Sequence, residues 1–89
     1  MKLFDGFDYL QEYTVMQLLK IFELPLYVQK DGWTEDFYYR IDEIVDFKTK
    51  GVCFKNGKPH YKERSYSVFD TYFLVCMEPK NKFIDNSTN

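Results

Sequence analysis

Cys53 and His60 are the thiol and imidazole that this chain can bring together, and a thiolate beside an imidazole is the minimum for nucleophilic catalysis. Cys53 lies in Gly51-Val52-Cys53-Phe54-Lys55, and Asn56-Gly57 follows directly. A type I′ turn needs positive φ at both central residues, which Asn-Gly supplies, so a two-residue hairpin loop is predicted there. That register sets Lys58 opposite Lys55, Pro59 opposite Phe54 and His60 opposite Cys53. Neither a third residue to orient the imidazole nor an oxyanion hole is indicated, and an edge hairpin gives little shelter from water. With one His and no C-x-x-C, no metal site is expected. The glycines at positions 6, 32, 51 and 57 form no phosphate-cradling loop. The expectation is a protein that is no enzyme and carries no cofactor.

Charge is the next candidate chemistry. Asp31 to Asp46 holds six acids and one base, a net of −5, while Phe47 to Arg64 holds six bases and one acid, a net of +5. In the basic stretch, period 2 places Lys58, His60, Lys62 and Arg64 on one strand face, with Lys55 opposite Lys58. Like charges directly opposite destabilise a hairpin, so an anion or an acidic surface would be welcome there. With Tyr61 and Tyr66 nearby, the stripe has the ingredients of a single-stranded nucleic-acid face, although two Arg and the acidic stretch count against it. The alternative for the stripe is a solvated edge guarded by lysines. In the acidic stretch, Trp33, Glu35, Asp36 and Tyr38 combine aromatics with carboxylates, as interface anchors do. Trp33 has no periodic apolar run around it and is the expected exposed anchor, set against a basic surface of a larger protein. Core packing for the aromatics and plain solvation for the acids is the competing reading.

Elements must position these residues. Thr14 followed by Gln17 is a capping box, and Val15, Leu18, Leu19 and Phe22 make one apolar stripe, so a helix is predicted over Thr14–Leu24, ending at Pro25. The remainder reads as β: Leu26–Lys30, a strand from Phe37 to Phe47 with a bulge near Asp42-Glu43, Gly51–Lys55, Lys58–Arg64, Ser65–Phe69 and Tyr72–Glu78. The fold class expected is α+β, with one short N-terminal helix packed on a roughly five-stranded antiparallel sheet that could close as a small SH3-like barrel. Residues 1–80 form one domain, and 81–89 a flexible polar tail.

The whole composition sets the class. Eighty-nine residues, 45% hydrophobic and 29% charged, make one globular domain, and a net charge of −2 argues for no polyanion by itself. The chain has no Ala and is rich in Phe, Tyr, Lys and other residues with AT-rich codons, which suggests a gene from a low-GC bacterium or its phage. Met1 to Gly6 carries no secretory signal, and Val15–Val28 is broken by polar residues and Pro25, so a cytoplasmic protein without membrane contact is expected. Cys53 and Cys76 then read as reduced thiols, and Asn86-Ser87-Thr88 as a chance sequon. The functional expectation is a small protein-binding module. An inhibitor of a host defence or nucleic-acid-processing protein, of the anti-CRISPR kind, fits that size and composition. Single-stranded nucleic-acid binding is the alternative, and an exposed edge strand could also pair two copies.

Overall fold

The computed structural model describes residue 8 and residues 10–60, 63–75 and 79–84. Among them the chain forms six antiparallel strands and one turn of helix: β1 (Tyr13–Thr14), α1 (Val15–Leu18), β2 (Leu26–Gln29), β3 (Phe37–Val45), β4 (Lys48–Lys55), β5 (Lys58–Pro59) and β6 (Thr71–Leu74). They make one open sheet in the order β1-β6-β2-β3-β4-β5. The fold is therefore dominated by the sheet, with one strand more than expected and no closed barrel among the described residues.

The helix is the main correction. Its capping box forms, since Gln17 N–H donates to Thr14 Oγ1 and Thr14 N–H to Gln17 Oε1. It ends at Leu18, well short of Leu24. A second segment captures the backbone beyond it. Glu23 N–H donates to the Lys82 carbonyl and Ile84 N–H to the Ile21 carbonyl, each at 2.9 Å, and the rings of Phe22 and Phe83 stack. Sheet-like pairing thus takes groups that a longer helix would have bonded internally. Val15, Leu18 and Phe22 are still buried, so the apolar stripe identifies core residues despite the wrong length. Asn81, read as the start of the tail, clamps Tyr27: its side-chain amide accepts from Tyr27 N–H and donates to Tyr27 C=O. Residues 85–89 lie outside the described residues.

The two long strands, β3 and β4, pair from Val45↔Lys48 to Phe37↔Lys55, and their register shifts between Ile41 and Glu43, where the bulge was expected. β5 pairs Lys58 with Lys55 and Pro59 with Phe54, and His60 N–H donates to the Cys53 carbonyl. The return strand does not run on unbroken to Arg64. Ladder pairing resumes as single bridges, Gly51↔Arg64 and Lys48↔Ser67, and Ser65–Phe69 forms no continuous strand. Tyr61, Lys62 and Cys76–Glu78, which carry parts of three expectations, lie outside the described residues.

From Ser67 the chain passes to β6, which pairs with β2 and β1. Val68 is buried on the way, beside a core that includes Leu26, Val28, Tyr39, Ile41 and Tyr72. Tyr39 and Thr49 share a buried hydroxyl pair at 2.9 Å, and Tyr39 also donates to the Arg64 carbonyl. This network ties β3, β4 and the crossing segment together. Gly51 is buried where three chain segments meet, and any β-carbon there would collide with the Arg40 carbonyl oxygen.

Candidate protein-interaction surface

Much of the two oppositely charged stretches of sequence falls on the two arms of one hairpin, β3 and β4. Glu43 pairs across the strands with Lys50. Arg40 stays within β3, bonding the Asp42 carboxylate at 2.7 Å through Nε. A hydrogen bond from the Thr34 hydroxyl holds the Asp36 carboxyl below its ordinary range, with a smaller contribution from the charge of Lys55. The asymmetry visible in sequence is therefore partly offset where the two strands pair.

The proposed Cys53–His60 couple is in register but poorly set for chemistry. Cys53 is buried, and burial pushes its thiol pKa up, which favours the unreactive protonated form. The exposed His60 ring stands edge-on to Phe37. Lys55, Lys58 and Arg64 are exposed, but Arg64 is held through its backbone to Gly51 on both sides. Lys62 lies outside the described residues.

The acidic, aromatic set divides. Trp33 is half-buried and packs edge-on against Phe37 at a centroid distance of 4.7 Å. Tyr38 turns to the opposite sheet face, where it stacks on Phe54 and meets Tyr27. Asp36 is engaged with Thr34, while Glu35 is exposed. Period 2 in β3 explains the split between Phe37 and Tyr38, because successive side chains point to opposite faces.

Trp33 and Glu35 do belong to a surface, with partners far away in sequence. They line an open depression of about 400 Å³ together with Leu10, Asp31 and Phe73. A second depression of about 420 Å³ is lined by Glu12, Lys30, Asp31, Phe69, Asp70 and Thr71. Lys30 and Asp31 line both, so the two adjoin and together make one band of surface. Its aromatic walls are Trp33 and Phe69, and Leu10 is 86% exposed on it. The residues that line the two depressions include four carboxylates, Glu12, Asp31, Glu35 and Asp70, and one ammonium, that of Lys30. That ammonium is already engaged, 3.2 Å from Asp70 Oδ2 and over the rings of Tyr66 and Tyr72 at 4.8 and 4.9 Å. Neither Glu12 nor Asp31 forms an ion pair among the described residues, although Glu12 accepts a hydrogen bond from Thr71 Oγ1.

Sequence reasoning missed Leu10, Glu12, Phe69 and Asp70, since only the pairing of β6 with both β1 and β2 brings them beside Asp31. It also misplaced Phe47, read as the end of an apolar strand face. Phe47 sits with Asp46 in a two-residue turn joining β3 to β4 and is 73% exposed. The available signal was the spacing: Val45 and Lys48 flank two residues, as Lys55 and Lys58 do.

Among the described residues no group of three His, Cys, Asp or Glu could hold a metal ion, and no helix is long and apolar enough to cross a membrane. No protein-family model, curated protein or solved structure matches the chain.

Proposed function

We propose that this chain is a small, non-enzymatic protein-binding module that docks its acidic, aromatic band onto a basic surface of a larger protein. The observation that carries this reading is that two depressions share Lys30 and Asp31 and are lined together by four carboxylates and by the rings of Trp33, Phe69 and Phe73. Aromatic anchors exclude water from neighbouring carboxylates, which strengthens their pairing with a partner's guanidinium or ammonium groups. Inhibition of a host defence or nucleic-acid-processing protein suits such a surface, because proteins that handle nucleic acid carry basic grooves. The hairpin cations support nucleic-acid binding less well: Arg40 is bonded to Asp42, and Lys55 lies close enough to Asp36 to act on its carboxyl.

The test is capture from the native host lysate, with and without nuclease. Retention of one protein after nuclease treatment is expected. Recovery of nucleic acid alone, lost on digestion, would replace this reading with a nucleic-acid-binding function for the hairpin.

A further inference from the structure

We infer that Phe47 and Phe69 form a two-ring knob that inserts into an apolar pocket of the partner protein, a pocket rimmed by Arg or Lys. Phe47 is 73% and Phe69 71% exposed, and their rings stack with centroids 6.4 Å apart and planes 16° apart. Isolated exposed side chains are ordinary on a protein surface; two large rings stacked on each other in solvent form a patch.

The backbone fixes the pair in place. Val68 N–H donates to the Phe47 carbonyl at 3.0 Å, and Phe69 N–H donates to Ser67 Oγ. Val68, next to Phe69, is buried in the core, so the second ring stands on a rigid base. Rings held this way lose little freedom on binding, which is what an anchor needs.

Phe47 also occupies a conformation that suits it badly. Its φ is +63° and that of Asp46 is +52°. Asp tolerates this region and Gly adopts it freely, whereas a bulky side chain is disfavoured there. A glycine would close the turn with less strain and present no ring to solvent. The turn thus carries a ring that its own geometry does not call for, and strain of this kind clusters at ligand clamps and binding sites.

Charge selects the occupant. Phe69 is also a wall of the depression lined by Glu12, Asp31 and Asp70, and Asp46 adjoins Phe47. Against these acids stand Lys48, next to Phe47, and Lys30, already bonded to Asp70. An apolar pocket with a cationic rim complements this surface; an anionic lipid surface does not. The inference rests on the reading of a protein-binding module and deepens it.

The probe is a host with that chemistry: an amino-substituted β-cyclodextrin, whose apolar cavity admits a phenyl ring and whose rim is cationic. Neutral and carboxymethyl β-cyclodextrins are the controls, and amide chemical shifts of the full chain are the readout. Shifts should centre on Asp46–Lys48 and Val68–Thr71, with affinity falling from amino to neutral to carboxymethyl host. Phe47→Gly and Phe69→Ser should each weaken capture about tenfold, a change typical of losing an anchor ring. Thermal unfolding of Phe47→Gly should occur at or above the wild-type temperature, which separates a lost anchor from a lost fold. Shifts centred elsewhere, no preference for the amino host, or unaltered capture by both variants would overturn the knob. So would binding to anionic vesicles through these rings, or a dimer that Phe47→Gly dissolves. Because the titration contains no partner protein, its failure is distinct from failure of the lysate test, which bears on the module itself.

Discussion

β4 begins and ends in a tight turn, and the two turns solve one backbone problem with different residues. Asn56 and Gly57 have φ of +54° and +79°; Asp46 and Phe47 have +52° and +63°. Asn-Gly is the pair that this geometry favours, and that turn presents little beyond backbone and flanking lysines. Asp-Phe is a poor pair for it, and that turn places a ring in solvent against Phe69. The first turn is explained by folding alone. The second is not, and its neighbourhood also borders the depression where carboxylates outnumber available cations. Between the two turns, Glu43 of β3 stands opposite Lys50 of β4, and Arg40 bonds Asp42 within β3. Local mismatch, more than charge read along the sequence, marks the surface proposed for a partner.

The largest effect should come from removing the frame that holds both turns. Gly51→Ala drives a methyl group into the Arg40 carbonyl, and the loss should reach about 3 kcal/mol, the upper end for overpacking at a site that cannot relax. Urea denaturation measures it; a near-neutral result would mean that β3, β4 and the Arg64 bridge are not packed as described.

Two buried tyrosines give the next test. Tyr39→Phe removes the bonds to Thr49 and the Arg64 carbonyl and should cost about 1.5 kcal/mol, whereas Tyr72→Phe should cost nothing measurable. The Tyr72 hydroxyl is buried without a hydrogen-bond partner among the described residues, so its removal leaves no group unpaired. Burial also pushes the Tyr39 phenol up to about 12 and raises that of Tyr72. The folded protein therefore keeps these protons where the unfolded chain, with a phenol pKa of about 10, has begun to release them. This contribution to stability is complete below pH 10 and is lost as pH rises from there through 12. Denaturation at pH 9 and pH 11 should show the decline, and Tyr39→Phe should make it shallower.

The turns themselves should respond in opposite directions. Gly57→Ala places a β-carbon at φ +79° and should cost about 1 kcal/mol. Phe47→Gly should cost nothing or stabilise slightly, since relief of the strained φ offsets a ring contact made in solvent. Equal losses from both would remove the contrast on which the knob is argued. A small effect is also expected at His60→Ala, within about 0.5 kcal/mol in stability and without consequence for binding, as befits an exposed ring outside the band.

These contrasts show what local pattern can convey. Asn56-Gly57, the hairpin register, the bulge after Ile41 and the Thr14–Gln17 box were legible because each depends on a few neighbouring residues. The length of α1 was not, since it is set by pairing of residues 21–23 with 82–84, some sixty positions away. The closed barrel failed for a related reason: among the described residues the return strand stops at Pro59, and a single bridge meets β4 again at Arg64. In the candidate surface, Trp33 and Glu35 were found by type, but Tyr38 was grouped with them although strand alternation turns it away. Phe69, Asp70 and Glu12 could not have been assigned, because only the pairing of β6 with β1 and β2 places them beside Asp31. The charge blocks misled in another way. A sequence shows their separation along the chain and hides the hairpin that reunites them.

The most direct measurement compares charge reversals on the protein captured from nuclease-treated lysate. Asp31→Lys with Glu35→Lys should weaken its binding by about tenfold or more, largely through slower association at low salt. Lys55→Glu with Lys58→Glu should change it by no more than about threefold, as at an exposed rim. The acidic pair is thus expected to be the more damaging. If the lysine pair is the more damaging, the acidic, aromatic band is not the docking face, and the Asn56-Gly57 hairpin takes its place.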